Sequence, residues 1–316
     1  MLERTKQQQQ QQQHVYFITG ANSGIGLEAT RQLAERLLKI NSNTNGKNKN
    51  TATTIWNTIY LLCRSEEKAN AAIHDVCGSI GWKNRPRTNE NEQQQEKEKE
   101  EGTEPRRHRQ PGGLSFEYIK FDAYDDKQTI EKNVRRAVLS SSSSPGSASS
   151  SSFSLDEIFI GGILLNAGGF GDAKNNTTNN KDTRKACDVA QLNIIGHVHL
   201  VNYLIATYKT TTTTTTTRHH PQITRIVAVG SEASFAAPAM TLPYSTANFV
   251  EHLSGMVPAQ ERSFGINYGW IKGILALYWA AFARRYSSQN VEGPENAKTK
   301  KTLYVVTVSP GKWYRR

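Results

Sequence analysis

Val15–Thr19 (VYFIT) is a β-branched and aromatic run that leads straight into Gly20-Ala21-Asn22-Ser23-Gly24-Ile25-Gly26. Leu27–Ile40 follows with Leu27, Leu33, Leu37 and Leu38 at helical spacing. Strand, glycine turn and helix in that order predict the opening of a dinucleotide-binding α/β fold. Glycines there permit a tight turn and a close backbone approach to a pyrophosphate, and the N–H groups and dipole at the helix start favour its negative charge. The alternative is a plain strand-to-helix turn.

The chain has 316 residues, but much of that length cannot enter a core. The tail 1–14, with its glutamine run Gln7–Gln13, is expected to be disordered, as are polar tracts at about 41–54, 83–113, 140–154, 174–182, 209–221 and 287–301. Tracts of Gln, Asn, Ser, Thr and mixed charge bury too little apolar surface to offset the entropy of ordering them. What lies between them comes in pieces of strand or helix length. One dinucleotide-binding domain over 15–316 with enlarged loops is therefore expected. No fixed-period repeat is visible, which argues against a solenoid. The net charge is +11, but Lys and Arg are scattered through the expected loops among Glu residues. With no binding module beside the charge, solvated loops are expected rather than a nucleic-acid surface. Cys63, Cys77 and Cys187 form no CxxC pair and have no paired His ligands, so neither a disulfide framework nor a metal site is expected. A cytoplasmic or other reducing compartment fits, an organelle being the alternative. The most apolar stretch, Ile266–Ala283, carries Lys272 near its middle, which favours a buried amphipathic helix over an integral membrane segment.

Further marks follow along the chain. Thr54–Leu62 reads as a second strand and ends in Cys63-Arg64-Ser65-Glu66-Glu67-Lys68-Ala69. Leu114–Phe121 alternates like a strand and ends at Asp122; Ile158–Leu165 is an apolar strand followed by Asn166-Ala167-Gly168. A helix over about 183–208 contains Asn193, and Ile223–Val229 leads to Gly230-Ser231. Of the tyrosines only Tyr268 has a Lys four positions on, Lys272, and this pair opens an apolar helix. An i, i+4 spacing puts both side chains on one helix face. Leu303–Val308 is a last strand, ending in Ser309-Pro310-Gly311.

Taken in order, TGANSGIG (Thr19–Gly26), Asn166-Ala167-Gly168, Asn193, Ser231, Tyr268-x-x-x-Lys272 and Pro310-Gly311 resemble the marks of the short-chain dehydrogenase/reductase family over Val15–Gly311. CRSEEKA (Cys63–Ala69) is most like its retinol-dehydrogenase-like and protochlorophyllide-reductase-like branch. The resemblance implies a Rossmann-type doubly wound parallel sheet with helices on both faces. It implies cofactor contacts at Gly20, Ser23, Gly24, Ile25, Gly26, Arg64, Asp122, Asn166, Ala167, Gly168, Tyr268, Lys272, Pro310 and Gly311. It also implies a catalytic set of Asn193, Ser231, Tyr268 and Lys272. Strand two ends in Cys and Arg with no carboxylate before Glu66, so NADP(H) is expected over NAD(H), with Arg64 facing the 2′-phosphate. The alternatives are that Arg64 is a surface charge and Ser231 a turn residue at a strand end.

In that family the reaction moves a hydride between nicotinamide and an alcohol or carbonyl. Tyr268 would be the acid/base, Lys272 would lower its pKa and hold the nicotinamide ribose, Ser231 would bond the substrate oxygen, and Asn193 would hold a relay water. Residues 232–267 form a longer insert than usual; Phe235, Met240, Leu242, Tyr244, Phe249 and Met256 would cover an apolar substrate, or the insert is one more enlarged loop. Leu165 stands where the family has Asn and Gly230 where it has Ser. Five residues follow Gly311, so the chain is expected to be truncated, a fragment or a faulty gene model, without the family's last strand and substrate segment, which would bare a sheet edge. A truncated, catalytically inactive cofactor-binding protein is therefore the alternative to an active NADP(H)-dependent oxidoreductase. An interaction or nucleic-acid-binding protein using its basic, polar loops is a third reading. The partners expected are a small-molecule substrate and, as an open oligomeric state, a second copy in a homodimer.

Overall fold

The computed structural model describes residues 12–44, 55–81, 108–109, 113–142, 158–169, 188–210, 225–236, 264–288 and 304–309. They belong to two compact units: one of residues 1–120 with 157–159, the other of 121–156 with 160–316. The fold is of Rossmann type, parallel strands alternating with helices.

In the first unit β1 (Gln12–Thr19), β2 (Ile55–Cys63), β3 (His108–Arg109) and β4 (Leu114–Lys120) lie in the order β3-β4-β2-β1. β1, β2 and β4 are parallel, and β3 adds a short antiparallel edge on β4. β2 carries the unbroken run Ile59-Tyr60-Leu61-Leu62, all buried, as a strand covered on both faces requires. Phe17 stacks on Tyr60 with ring centroids 5.0 Å apart. α1 (Gly24–Thr44) brings Ala34 and Leu37 to the core, and α2 (Glu66–Ser79) brings Ala69, Ala72, Ile73 and Val76. Ser65 caps α2: its Oγ accepts from the Lys68 N–H at 3.2 Å, and Glu66 and Glu67 sit in the first turn, where the helix dipole favours them.

In the second unit β5 (Ile158–Leu165, its first two residues counted with the other unit), β6 (Arg225–Val229) and β7 (Tyr304–Val308) run parallel in the order β5-β6-β7. The register pairs Leu165 with Ala228 and Val229 with Val308, so the strand ends carrying Asn166, Gly230 and Ser309 come out on one side. α3 (Lys127–Ser142) buries Ile130, Val134 and Val138 at a four-residue spacing. Then come α4 (Asp188–Ala190), a widened π turn (Gln191–Ile195), α5 (Gly196–Thr210), α6 (Ala233–Ala236) and α7 (Phe264–Ser288). α7 buries Ile271, Ile274, Leu275 and Trp279. Tyr304, Val306 and Val308 of β7 are exposed. Among the described residues no helix is long and apolar enough to cross a membrane.

The elements run past several expected boundaries. Gln12, Gln13 and His14 lie in β1, Asn41–Thr44 in α1, His108–Arg109 in β3, Ser140–Ser142 in α3, Lys209–Thr210 in α5 and Ser287–Ser288 in α7. Adding a residue to an existing helix or ladder gains a hydrogen bond at small extra entropic cost, so polar tract edges extend elements that apolar residues nucleate. Gln13 shows the gain: its Nε2 donates to Thr58 Oγ1 at 3.1 Å on the paired strand. The rest of those tracts lies outside the described residues.

Gly196 tests the packing of the second unit. A Cβ there would meet the Ala123 backbone at 2.6 Å, whereas one at Gly78 of α2 would meet nothing within 4 Å. Gly196→Ala is expected to cost about 1–3 kcal/mol, and Gly78→Ala to gain roughly 0.5–1 kcal/mol. Urea denaturation checks both, and equal effects would contradict the packing.

Candidate active site and cofactor turn

In the first unit β1 gives way to the turn that opens α1. Gly20 has φ +64° and Gly24 φ +53°, values that side-chain-bearing residues rarely adopt. The Gly20 N–H donates to Leu62 O at 2.9 Å, which ties the turn to β2. The next residue of β2, Cys63, accepts from the backbone N–H groups of Ala21 and Asn22, and burial pushes its thiol up to about 11. Ser23 and Gly24 are exposed, no heavy atom lies within 4 Å of where a Gly24 Cβ would stand, and the first turn of α1 holds no acidic residue. Ile25 is half-buried and Gly26 buried, its carbonyl accepting from Thr30 Oγ1 at 2.7 Å. Arg64 is exposed at the end of β2. A positive helix start open to solvent, without a carboxylate in its first turn, suits a phosphate. These residues therefore fit the anionic part of a dinucleotide.

The second unit brings together Gly168, Asn193, Ser231, Tyr268 and Lys272. β5 delivers Asn166-Ala167-Gly168, β6 delivers Ser231, and α7 presents Tyr268 and Lys272 one turn apart. Lys272 is only 3 % exposed; its Nζ donates to Val229 O at 2.9 Å and lies 5.6 Å from the Tyr268 ring centroid. Burial pulls the ammonium down to about 8. Tyr268 makes a side-chain hydrogen bond with Ser231. Desolvation pushes its phenol above the usual value, and the Ser231 bond opposes that rise. Lys272 was expected to lower the Tyr268 pKa; here the cost of burying a phenolate is the largest effect. Ser231 itself starts a turn: its Oγ accepts from the Ala233 N–H at 3.2 Å and its carbonyl from Ser234 Oγ at 2.7 Å.

Asn193 sits within the π turn, where the Gly196 N–H reaches five residues back to Gln191 O. Its amide is fully engaged. Nδ2 donates to Gly169 O and to Val189 O, both at 2.8 Å, and Oδ1 accepts from the Gly169 N–H at 3.3 Å. A Cβ on Gly168 would meet Asn193 Oδ1 at 2.6 Å and Lys272 Nζ at 3.2 Å, so the glycine lets these two groups converge. Asp122 turns to its own loop, Oδ1 accepting from the Tyr124 N–H at 3.1 Å. Asn166 and Ala167 are half-buried at the end of β5. Pro310 and Gly311 lie outside the described residues, as does most of the insert after Ser231. Among the described residues no cluster of His, Cys, Asp and Glu could hold a metal ion.

Sequence reasoning missed His197. It is 1 % exposed, bonded through Nδ1 to Asn193 O at 3.1 Å and stacked on Phe121 at 6.1 Å with the rings 5° from parallel. Burial, with Lys272 nearby, takes its pKa down to about 3. Its place four residues after Asn193 was the available signal.

No protein-family model matches the sequence, and no curated protein does. Solved structures resemble the chain at low identity. The bulky-bulky ketone specific alcohol dehydrogenase from Comamonas testosteroni is 14 % identical, with 93 % of this chain and 70 % of that one covered and a TM-score of 0.44. An NAD+-bound xylitol dehydrogenase is 14 % identical (94 % and 69 % covered, TM-score 0.48). A short-chain dehydrogenase from Sphingobium yanoikuyae in complex with NADPH is 15 % identical (87 % and 66 % covered, TM-score 0.41). These are likenesses of fold, and no chemistry follows from them.

Lys272 makes a signed prediction for the ligand-free protein. Its folded value near 8 lies below the ordinary 10.5, so between those limits the unfolded chain holds more protons and stability rises with pH. Lys272→Met is expected to remove that rise, worth about 2–3 kcal/mol across the window. Below pH 8 the Met variant should be the more stable protein, with the gap closing by pH 10. Urea midpoints at pH 7.5 and 9.5 check this, and parallel profiles for the two proteins would contradict it.

Proposed function

We propose that this chain is an NADP(H)-dependent oxidoreductase of the short-chain dehydrogenase/reductase type, acting on an apolar alcohol or carbonyl compound. The observation that carries the reading is the run of contacts in one unit that joins Ser231 to Tyr268, Tyr268 to Lys272, and Lys272 with Asn193 to Gly168. A tyrosine bonded to a serine, one helical turn from a buried ammonium, is an arrangement suited to passing a proton to or from a carbon-bound oxygen.

When bound, the nicotinamide supplies or takes up the hydride. The protein's task is the proton. In the reducing direction the Tyr268 phenol gives its proton to the carbonyl oxygen; in the oxidising direction the phenolate takes one from the alcohol. Ser231 Oγ bonds the same oxygen and steadies its developing charge. Its hydrogen bond with Tyr268 already holds the two oxygens together. Lys272 provides a positive charge near the phenol ring, at 5.6 Å. In this role its cation favours the phenolate against the desolvation that otherwise raises Tyr268. Asn193 keeps the floor of the site rigid through its three bonds to Gly169 and Val189. The glycine turn Gly20–Gly26 would hold the pyrophosphate and Arg64 the 2′-phosphate, in keeping with its exposed place at the end of β2 and the lack of a carboxylate before Glu66. The apolar side chains of 232–267, Met240, Leu242 and Phe249 among them, favour an apolar substrate.

Tyr268→Phe is expected to lower NADPH oxidation against a panel of apolar ketones and aldehydes by roughly 10²–10⁴-fold, with NADPH affinity, read by nucleotide fluorescence, within a few-fold of wild type. Undiminished turnover would remove Tyr268 from the mechanism, and cofactor binding by a wild-type protein without turnover on any substrate would favour a cofactor-binding protein that is not an enzyme. Arg64→Leu is expected to weaken NADPH about tenfold or more while leaving NADH little changed. Equal loss for both nucleotides would take Arg64 away from the 2′-phosphate.

A further inference from the structure

The π turn beneath the proposed proton-transfer site is not held by its backbone alone. At Gly196 the backbone spacing widens to five residues, and the chain there lies so close to Ala123 that only a glycine fits. The next residue, His197, points back into the turn. A carbonyl only accepts hydrogen bonds, so the 3.1 Å contact to Asn193 O makes Nδ1 the protonated nitrogen of a neutral ring. Full burial and the Lys272 charge both disfavour the imidazolium, consistent with that state. One face of the ring lies flat against Phe121, the residue that follows β4. His197 is thus fixed by stacking, and its N–H fixes the carbonyl of the residue whose side chain closes the site.

We propose that His197 is a positioning residue for this site: stacked on Phe121 and bonded to Asn193 O, it sets the pitch of the widened turn and so keeps the Asn193 amide clamped on Gly169 and Val189, with Oδ1 beside Gly168 and Lys272. The proposal rests on the enzymatic reading for its effect on turnover, but the clamp can be measured without it. If the ring only fills space, an apolar ring of the same size replaces it without consequence. If the N–H matters, the side chain that depends on the turn loosens selectively. The Gly169 amide reports this directly, because it donates to Asn193 Oδ1 across 24 residues of sequence. The Gly230 amide, bonded to Val308 O at 2.7 Å in the same unit, reports general loosening.

The test compares His197→Phe, which keeps the stacked ring and loses the donor, with His197→Asn, which carries a donor near the place of Nδ1. Amide hydrogen exchange is read at Gly169 and Gly230, alongside kcat and KM. For His197→Phe the expected result is exchange at Gly169 faster by roughly tenfold with Gly230 unchanged, and kcat lower by about tenfold with KM little moved. His197→Asn should restore both to within about threefold of wild type. Unchanged protection of Gly169 in His197→Phe, or equal loss at Gly169 and Gly230, overturns the proposal. A wild-type protein without turnover would sink the enzymatic reading, and the exchange arm would still decide the clamp.

Discussion

The candidate site residues of the second unit surround an ammonium that is out of water. The Nζ of Lys272 donates to the carbonyl of Val229 at the end of β6, and burial pulls its pKa down to about 8. A cation in that position is costly unless something draws on it. The groups around it make sense in those terms. Gly168 has no side chain, so Lys272 and the Asn193 amide can come close. Tyr268 stands one turn away with its ring toward the charge. His197 is kept neutral, which spares the unit a second buried cation.

The Asn193 amide shows a different way of holding a polar group. Its oxygen and nitrogen are satisfied by Gly169 and Val189, so the buried amide carries little desolvation debt. It goes with a helix that is locally too wide, at the point where Gly196 and Ala123 lie closer than a side chain allows. A π turn is less stable than the α-helix it replaces, and here several contacts compensate for it at a single point. In the first unit the comparable constraint is smaller. The glycine turn is tied down by the Leu62 carbonyl and the Cys63 sulfur, which leaves Ser23 and Gly24 facing solvent.

Legibility varied with the kind of interaction. β5 was read at its observed limits, because a continuous apolar run between polar tracts permits little else. β2 and β4 were read within a residue at each end. The start of β1 and the end of α1 lie beyond the expected limits, because Gln12, Gln13 and Asn41–Thr44 are polar and gain their places from neighbours already formed. The two-residue β3 has no periodicity to detect and exists only as a partner of β4. Asn193 was singled out by resemblance, but the widened turn that holds it could not be read, since Gln191–Ile195 is ordinary helical sequence.

The amino-acid sequence by itself determined the alternation of strand and helix, the glycine turn after β1, and the pairing of Tyr268 with Lys272 on one helix face, because each follows from local periodicity and spacing. Only the tertiary structure decided the electrostatic state of those residues. How far Lys272 falls, why Tyr268 rises, and why His197 is neutral all depend on how much water neighbouring segments exclude. Desolvation is a property of the packed surroundings, and no spacing along the chain encodes it.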